Sequence, residues 1–153
     1  MTKRSVTHAT FVIERTYPFA PARVFNAFAD PKAKAKWFVG PPDWEPEERE
    51  MDFRVGGREV SRGGPKGGPV ILFNAVYQDI VPNERIVNIY DMLVDGNRIS
   101  VSLNTVELKP AGAGTHLVLT EMGAYLDGYD DAGKREHGTR ELLEALAKSL
   151  EQS

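Results

Sequence analysis

The last stretch of the sequence, Asp131–Ser153, decides the fold and consists of DAGKREHGTRELLEALAKSLEQS. At about 100° per residue, its apolar side chains fall on one side of a helix and most charged ones on the other. A stripe this wide must be buried against other elements. We therefore predict a helix from about Lys134 to Glu151 that packs on a sheet. The stripe comprises Leu142, Leu143, Ala145, Leu146 and Leu150, with Gly138 and Ser149 beside them.

The preceding residues predict the sheet and two short helices. Alternating β-branched and aromatic residues predict a first strand over Thr7–Tyr17. Proline and aspartate at helix starts predict helices over Ala22–Ala29 and Lys32–Trp37, and the second presents a solvated Lys and Ala face. After the acidic, irregular Asp43–Glu50, turn residues separate further strands. These strands are Met51–Val55, Arg58–Arg62, Val70–Val81, Glu84–Leu93, Ile99–Lys109 and Thr115–Met122.

This order of elements predicts the α+β class, in which helices pack on an antiparallel sheet. We expect six or seven strands in one domain, residues 1–153, since a chain of this length buries roughly 70% of its unfolded surface. Twist accumulates from strand to strand, so the sheet must curve. A long helix on the concave side leaves a space in which ligands bind.

Composition excludes several classes of function. The net charge of −3 lacks the excess of basic residues needed to bind nucleic acid. The chain has no cysteine, which excludes disulfide and thiol chemistry. No apolar run is long enough for a signal peptide or a membrane span, so we expect a cytoplasmic protein without membrane insertion. The three histidines, His8, His116 and His137, are widely separated, so we expect no metal and no cofactor.

Four segments carry a family resemblance. The first is YPFAPARVFNAF at Tyr17–Phe28, with Asp30-Pro31 and Trp37 after it. The others are FRVGGR at Phe53–Arg58, YQDIVPNERIV at Tyr77–Val87 and GTHLVLTE at Gly114–Glu121. In this order they resemble the heat-shock ATPase-activator-like family (activator of Hsp90 ATPase homologue-like). That family belongs to the START-like, birch-pollen-allergen-like SRPBCC superfamily.

The resemblance implies a helix-grip fold, in which a curved sheet wraps the C-terminal helix around an elongated apolar cavity. One position departs from the family, because Thr139 follows Gly138 where members often have tryptophan. Threonine leaves a space of about the size of a tryptophan side chain, which is expected either to enlarge the cavity or to admit water. Members that activate chaperones carry a separate N-terminal domain that this sequence lacks, so chaperone activation is the weaker expectation.

A charged pair is expected near one end of the cavity. Glu121 shares a strand face with Leu117 and Leu119, so it faces the helix if the leucines do. Arg135 projects only about 20° from Leu142 on the helix. The pair is interpreted either as a structural ion pair or as a polar anchor for a ligand. The acidic loop before the helix, Asp127–Asp131, is either a solvated loop or a flap over the cavity.

The predicted ligand-binding residues combine aromatic side chains with the apolar stripe and the charged pair. Aromatic residues serve as core or as ligand contacts, and a buried tyrosine hydroxyl needs a partner. Glu121 is the candidate acid or base. The full set is Trp37, Phe53, Tyr77, Tyr90, Met92, Leu103, Leu119, Glu121, Tyr125, Arg135, Thr139, Leu142 and Leu146.

Three functions follow from these expectations. The first is binding of a small apolar or aromatic molecule. The second is a cyclase- or hydrolase-like enzyme that uses Glu121 in the same cavity. The weaker third is a chaperone ATPase cofactor that acts through its surface. We expect a monomer or a weak homodimer, because the sheet has free edges unless its curl closes it.

Overall fold

The computed structural model describes residues 3–45 and 48–152. The two residues at 46–47, within the predicted irregular segment, lie outside this range, as do Met1, Thr2 and Ser153, the last residue of the stretch that decides the fold. None of the described helices is long and apolar enough to span a membrane. The elements are β1 Val6–Tyr17, α1 Pro21–Ala29, α2 Pro31–Lys34, β2 Glu48–Met51, β3 Arg58–Gly63, β4 Ile71–Val81, β5 Arg85–Val94, β6 Asn97–Ala111, β7 Gly114–Leu126 and α3 Ala132–Glu151.

The strands form one seven-stranded antiparallel sheet in the order β1-β7-β6-β5-β4-β3-β2. Together with α3 and the two short helices after β1, this sheet confirms the predicted α+β, helix-grip-like fold. The register shifts between Tyr77 and Asp79 and between Met92 and Leu93. Such bulges bend the bulged strand and increase its local twist, which adds to the curvature of the sheet around α3.

Asp131 immediately precedes helix α3, and its side chain caps the helix by accepting a hydrogen bond from the backbone N–H of Lys134 (2.9 Å). The second half of the helix is embedded in the core, where Leu143, Leu146 and Leu150 are almost fully buried. The Tyr17 hydroxyl at the end of β1 donates to the carbonyl of Leu143 (3.0 Å). The predicted apolar stripe therefore holds the helix on the sheet.

Several local predictions were wrong, among them the end of the second helix, which stops at Lys34 and not at Trp37. Strand β2 ends at Met51, whereas a strand was predicted over Met51–Val55. The chain turns earlier because Asp52–Gly57 forms the connection to β3, in which Gly57 approaches Asp52 so closely that a Cβ would lie 2.1 Å from the Asp52 carbonyl. Lys34, expected on a solvated helix face, is 6% exposed. Its ammonium group lies 2.6 Å from a carboxylate of Glu59, a partner on β3 that helical periodicity does not reveal.

Candidate functional site

A cavity of about 770 Å³ lies between the concave face of the sheet and α3. This volume is typical of small-molecule sites, which are usually apolar with a few polar groups. Strands β3 to β7 form its floor, α3 its roof, and the chain between α2 and Trp44 one wall. Most of the predicted residues line it, namely Trp37, Phe53, Tyr77, Tyr90, Met92, Leu119, Glu121, Arg135, Thr139 and Leu142.

Three predicted residues lie elsewhere. The side chain of Leu103 is 39% exposed and lies on the convex side of the sheet, so the prediction that it lines the cavity was wrong. Its neighbours Ser102 and Asn104 face inward instead, because successive residues of a strand point to opposite faces. Leu146 is completely buried in the hydrophobic core. Tyr125 is also buried, with its ring 5.6 Å from the Arg135 guanidinium, but it is not among the cavity-lining residues.

Glu121 and Arg135 contact each other at one end of the cavity, as their positions on strand and helix predict. Nη1 of Arg135 lies 3.4 Å from Oε2 of Glu121. The Tyr90 hydroxyl donates to Oε1 of Glu121 (2.7 Å) and accepts from Arg135 (2.9 Å). The hydroxyl of Ser102 donates to Oε2 of Glu121 (3.1 Å). Both carboxylate oxygens of this buried group are therefore satisfied.

The other nitrogen of Arg135 ties the helix to its surroundings. Nη2 donates to the hydroxyl of Ser100 on β6 (2.7 Å) and to a carboxylate oxygen of Asp130 (2.9 Å). Asp130 belongs to the acidic loop before α3 and lines the cavity. One guanidinium thus joins β5, β6, β7 and the loop.

Burial controls the protonation of this cluster. Desolvation raises the pKa of Glu121 above its ordinary value of 4.5, against the opposing hydrogen bonds from Tyr90, Ser102 and Arg135. Burial, and then the Glu121 carboxylate, raise the pKa of Tyr90 well above its ordinary value of 10.0. Tyr90 therefore keeps its proton throughout the physiological pH range and donates a hydrogen bond to Glu121.

A second buried charged cluster lies on the opposite side of the cavity floor. Nζ of Lys34 contacts Oε1 of Glu59 at 2.6 Å, and the Tyr77 hydroxyl donates to the same oxygen. Glu59 is 3% exposed. Desolvation, followed by the Glu59 carboxylate, raises the pKa of Tyr77. The ammonium of Lys34 and the carboxylate of Glu59 are thus paired, as buried charges must be. Lys34 and Tyr77 also line the cavity.

A row of polar side chains crosses the floor between the two clusters. The register pairs Tyr77 with Asn88, Asn88 with Asn104, and Asn104 with Glu121. Both asparagines line the cavity. Sequence reasoning missed both asparagines. The available signal was their spacing: Asn88 lies two residues from Ile86 and Asn104 two residues from Val106, so each shares the inward face with an apolar residue that lines the cavity.

The chain before β2 contributes one wall of the cavity. The indole of Trp44 packs against Gly40, where a Cβ would lie 2.3 Å from Cε3 of the ring.

His137 points to solvent, as the helical projection predicts, and its side chain pairs with Glu141. Among residues 3–45 and 48–152, no group of three or more histidine, aspartate or glutamate side chains is arranged to hold a metal ion.

The convex side of the sheet carries an exposed apolar patch. Ile89 pairs with Leu103, and Leu103 with Met122, so the three side chains are adjacent on β5, β6 and β7. Their exposed fractions are 43%, 39% and 53%. With Val101, they border a shallow depression of about 370 Å³.

The curved sheet, the gripping helix and the cavity between them define a helix-grip-like protein. Residues 18–152 match the family model for activator of Hsp90 ATPase homolog 1-like protein, and the chain belongs to this family. This agrees with the resemblance found in the sequence. No curated protein matches the chain.

Solved structures of several bacterial proteins are similar to nearly the whole chain. The Mll3558 protein of Rhizobium loti is 53% identical, with a TM-score of 0.89, over 95% of this chain and 99% of its own. A protein from Rhizobium leguminosarum is 42% identical, with a TM-score of 0.94, over 99% and 100%. An AHSA1-like protein from Aeromonas hydrophila, at 18% identity and a TM-score of 0.71 over 94% and 93%, shares the fold.

Proposed function

We propose that the protein binds a largely apolar small molecule in the cavity between the sheet and α3. The observation that carries this proposal is the combination of cavity size and lining. About 770 Å³ is bordered by Trp37, Phe53, Phe73 and Leu119, while polar groups are concentrated in a few places. Such a lining provides apolar contact for most of a ligand and orients it with few hydrogen bonds.

The closed hydrogen-bond cluster of Glu121 supports binding over catalysis. A general base must be within reach of the proton that it removes. Tyr90, Ser102 and Arg135 already donate to the two oxygens of Glu121. The cluster therefore serves best as a rigid polar end to the cavity, against which a ligand is positioned.

Native mass spectrometry of freshly purified protein tests this proposal. We expect an additional mass on the folded protein that is lost when the protein is denatured, and extraction of that molecule identifies it. The neutral fluorescent probe N-phenyl-1-naphthylamine should compete with it. A protein that carries no additional mass and does not bind the probe would contradict a carrier or sensor role.

A second candidate function, acid–base catalysis at Glu121, is favoured by the raised pKa of this carboxyl group. Glu121→Gln keeps the shape of the side chain but removes its titration. Incubation of the co-purified molecule with each protein, followed by mass spectrometry, separates the two functions. A product formed by wild type and absent with Glu121→Gln would favour catalysis, whereas an unchanged molecule in both would favour binding.

A surface-acting chaperone cofactor would use the convex patch of Ile89, Leu103 and Met122, because exposed apolar patches often mark interaction sites. ATP hydrolysis by an Hsp90 chaperone, measured with and without the protein, tests this alternative. Stimulation lost in Leu103→Ser but kept in Thr139→Trp would favour the surface over the cavity. If stimulation is absent with wild type, this alternative is excluded for the chaperone tested.

A further inference from the structure

The middle of the cavity floor contains two amides whose oxygens have no protein partner. Asn88 and Asn104 lie directly opposite each other on β5 and β6 and both line the cavity. Among the described residues, no group forms a hydrogen bond with Oδ1 of either side chain. Asn88 is only 5% exposed, so little of its side chain is accessible to water. A buried polar atom without a partner costs folding free energy.

The position of this pair distinguishes it from the structural clusters on either side. Glu121 and Tyr77, the outer members of the same row, each have a partner within the protein. Neighbouring strands lie ~4.8 Å apart, so the two central amides lie side by side between these outer members. A terminal amide also rotates about its last bond in a broad, roughly two-fold energy profile. Either amide can therefore turn its oxygen toward a bound molecule.

The charged groups that line the cavity exclude carboxylates as preferred ligands. Arg135 contacts the carboxylates of Glu121 and Asp130, and Lys34 contacts the carboxylate of Glu59. A carboxylate ligand would lose its hydration and would compete with these groups for a cation that is already paired. Hydroxyl and N–H groups cost less to desolvate, and they donate to an amide oxygen.

We propose that the ligand is a neutral molecule whose hydroxyl or N–H group hydrogen-bonds to the Asn88 and Asn104 pair between apolar ends. The inference rests on the proposed function and narrows its ligand class. It excludes fatty acids and other carboxylates as preferred ligands. The asparagine pair is then the part of the site that selects the ligand, while the aromatic walls supply apolar contact.

Three probes with the same ring system test this inference, namely naphthalene, 2-naphthol and 2-naphthoate. Their dissociation constants are measured by equilibrium dialysis at neutral pH, where 2-naphthoate is charged. We expect 2-naphthol to bind about tenfold more tightly than naphthalene, the gain typical of one hydrogen bond. We expect 2-naphthoate to bind more weakly than either.

Substitution of the pair assigns the preference to these amides. In Asn88→Leu/Asn104→Leu, 2-naphthol should lose its tenfold advantage, while the affinity for naphthalene is kept or increased. Asn97→Leu makes the same change at an exposed position on β6 and should keep the wild-type ranking. The single variants Asn88→Leu and Asn104→Leu provide the same test if the double variant does not fold, and the wild-type ranking requires no variant.

The outcomes separate this inference from the proposed function. Equal affinity for naphthalene and 2-naphthol, tightest binding of 2-naphthoate, or a preference that survives in the double variant would overturn the inference and leave a binding cavity. If none of the three probes binds wild type, the proposed function and the inference both fail.

Discussion

The two halves of α3 make a comparison within a single helix. Leu146 and Leu150, in the second half, are at most 4% exposed and belong to the hydrophobic core without lining the cavity. Arg135 and Thr139, in the first half, line a cavity of about 770 Å³. Both halves follow one helical periodicity. The difference therefore comes from the sheet below them and not from the helix.

The inward side chains of the sheet change character under the boundary between the halves. The row formed by Ile86, Val106 and Leu119 is apolar, and the core cluster contains all three residues. The next row along the strands contains Asn88, Asn104 and Glu121. Polar groups cannot be covered by leucine without losing hydrogen bonds. The polar row therefore stays uncovered, and the cavity extends over it from the apolar row, which also borders the cavity.

Leu146→Ala should have the largest effect on this comparison. Removal of a fully buried leucine from a packed core costs about 2–5 kcal/mol. Leu142, on the same stripe, is partly buried and borders the cavity, so Leu142→Ala should cost less than half as much because it opens little new void. Urea denaturation of both variants measures the difference. Equal losses would mean that the helix side chains bordering the cavity are packed as tightly as those in the core.

The pH dependence of stability tests the polar row. The folded-state pKa of Glu121 is raised, so Glu121 adds stability that is fully present below pH 4.5 and is lost as pH rises through its folded pKa. The unfolding free energy of wild type minus that of Glu121→Gln should therefore fall from pH 4 to pH 7. Denaturation at several pH values measures this slope. A flat or rising difference would show that Glu121 is not desolvated.

Gly138→Ala should have the smallest effect and the opposite sign. A Cβ built on Gly138 meets no heavy atom of the described chain within 4 Å, apart from its neighbours and the local helix backbone. Alanine is favoured over glycine inside a helix by about 1 kcal/mol, so the variant should be more stable by roughly that amount. Thermal denaturation checks this. A loss of stability would mean that the helix lies closer to the sheet here.

Much of the fold follows from local sequence patterns. The leucine stripe predicts α3, and alternation with turn residues predicts most of the strands, because both signals depend on neighbours within a few residues. The position of Lys34 could not be predicted in this way. Its partner Glu59 is 25 residues away, and only the folded sheet brings the two together.

The site illustrates the same limit. Ile99, Val101 and Leu103 form the more apolar alternation of β6 and suggest an inward face, but Val101 and Leu103 are exposed. The inward residues are instead Ser100, Ser102 and Asn104. The apolar face of a strand is usually the buried one. Next to this cavity the polar face points inward instead, where its side chains can hydrogen-bond to other residues or to a ligand. The contact between Glu121 and Arg135 was predictable because both periodicities are clear. Strand alternation places Glu121 on the face toward the helix, and helical periodicity places Arg135 on the side toward the sheet.

The central claim is that the first half of α3 borders a cavity that binds an apolar molecule. Titration with N-phenyl-1-naphthylamine tests it in wild type, in Thr139→Trp, and in the control His137→Trp, which adds the same ring on the exposed side of the helix. We predict that wild type and His137→Trp bind the probe, and that Thr139→Trp binds at least tenfold more weakly with an unchanged melting temperature. Equal binding by all three proteins would contradict the account.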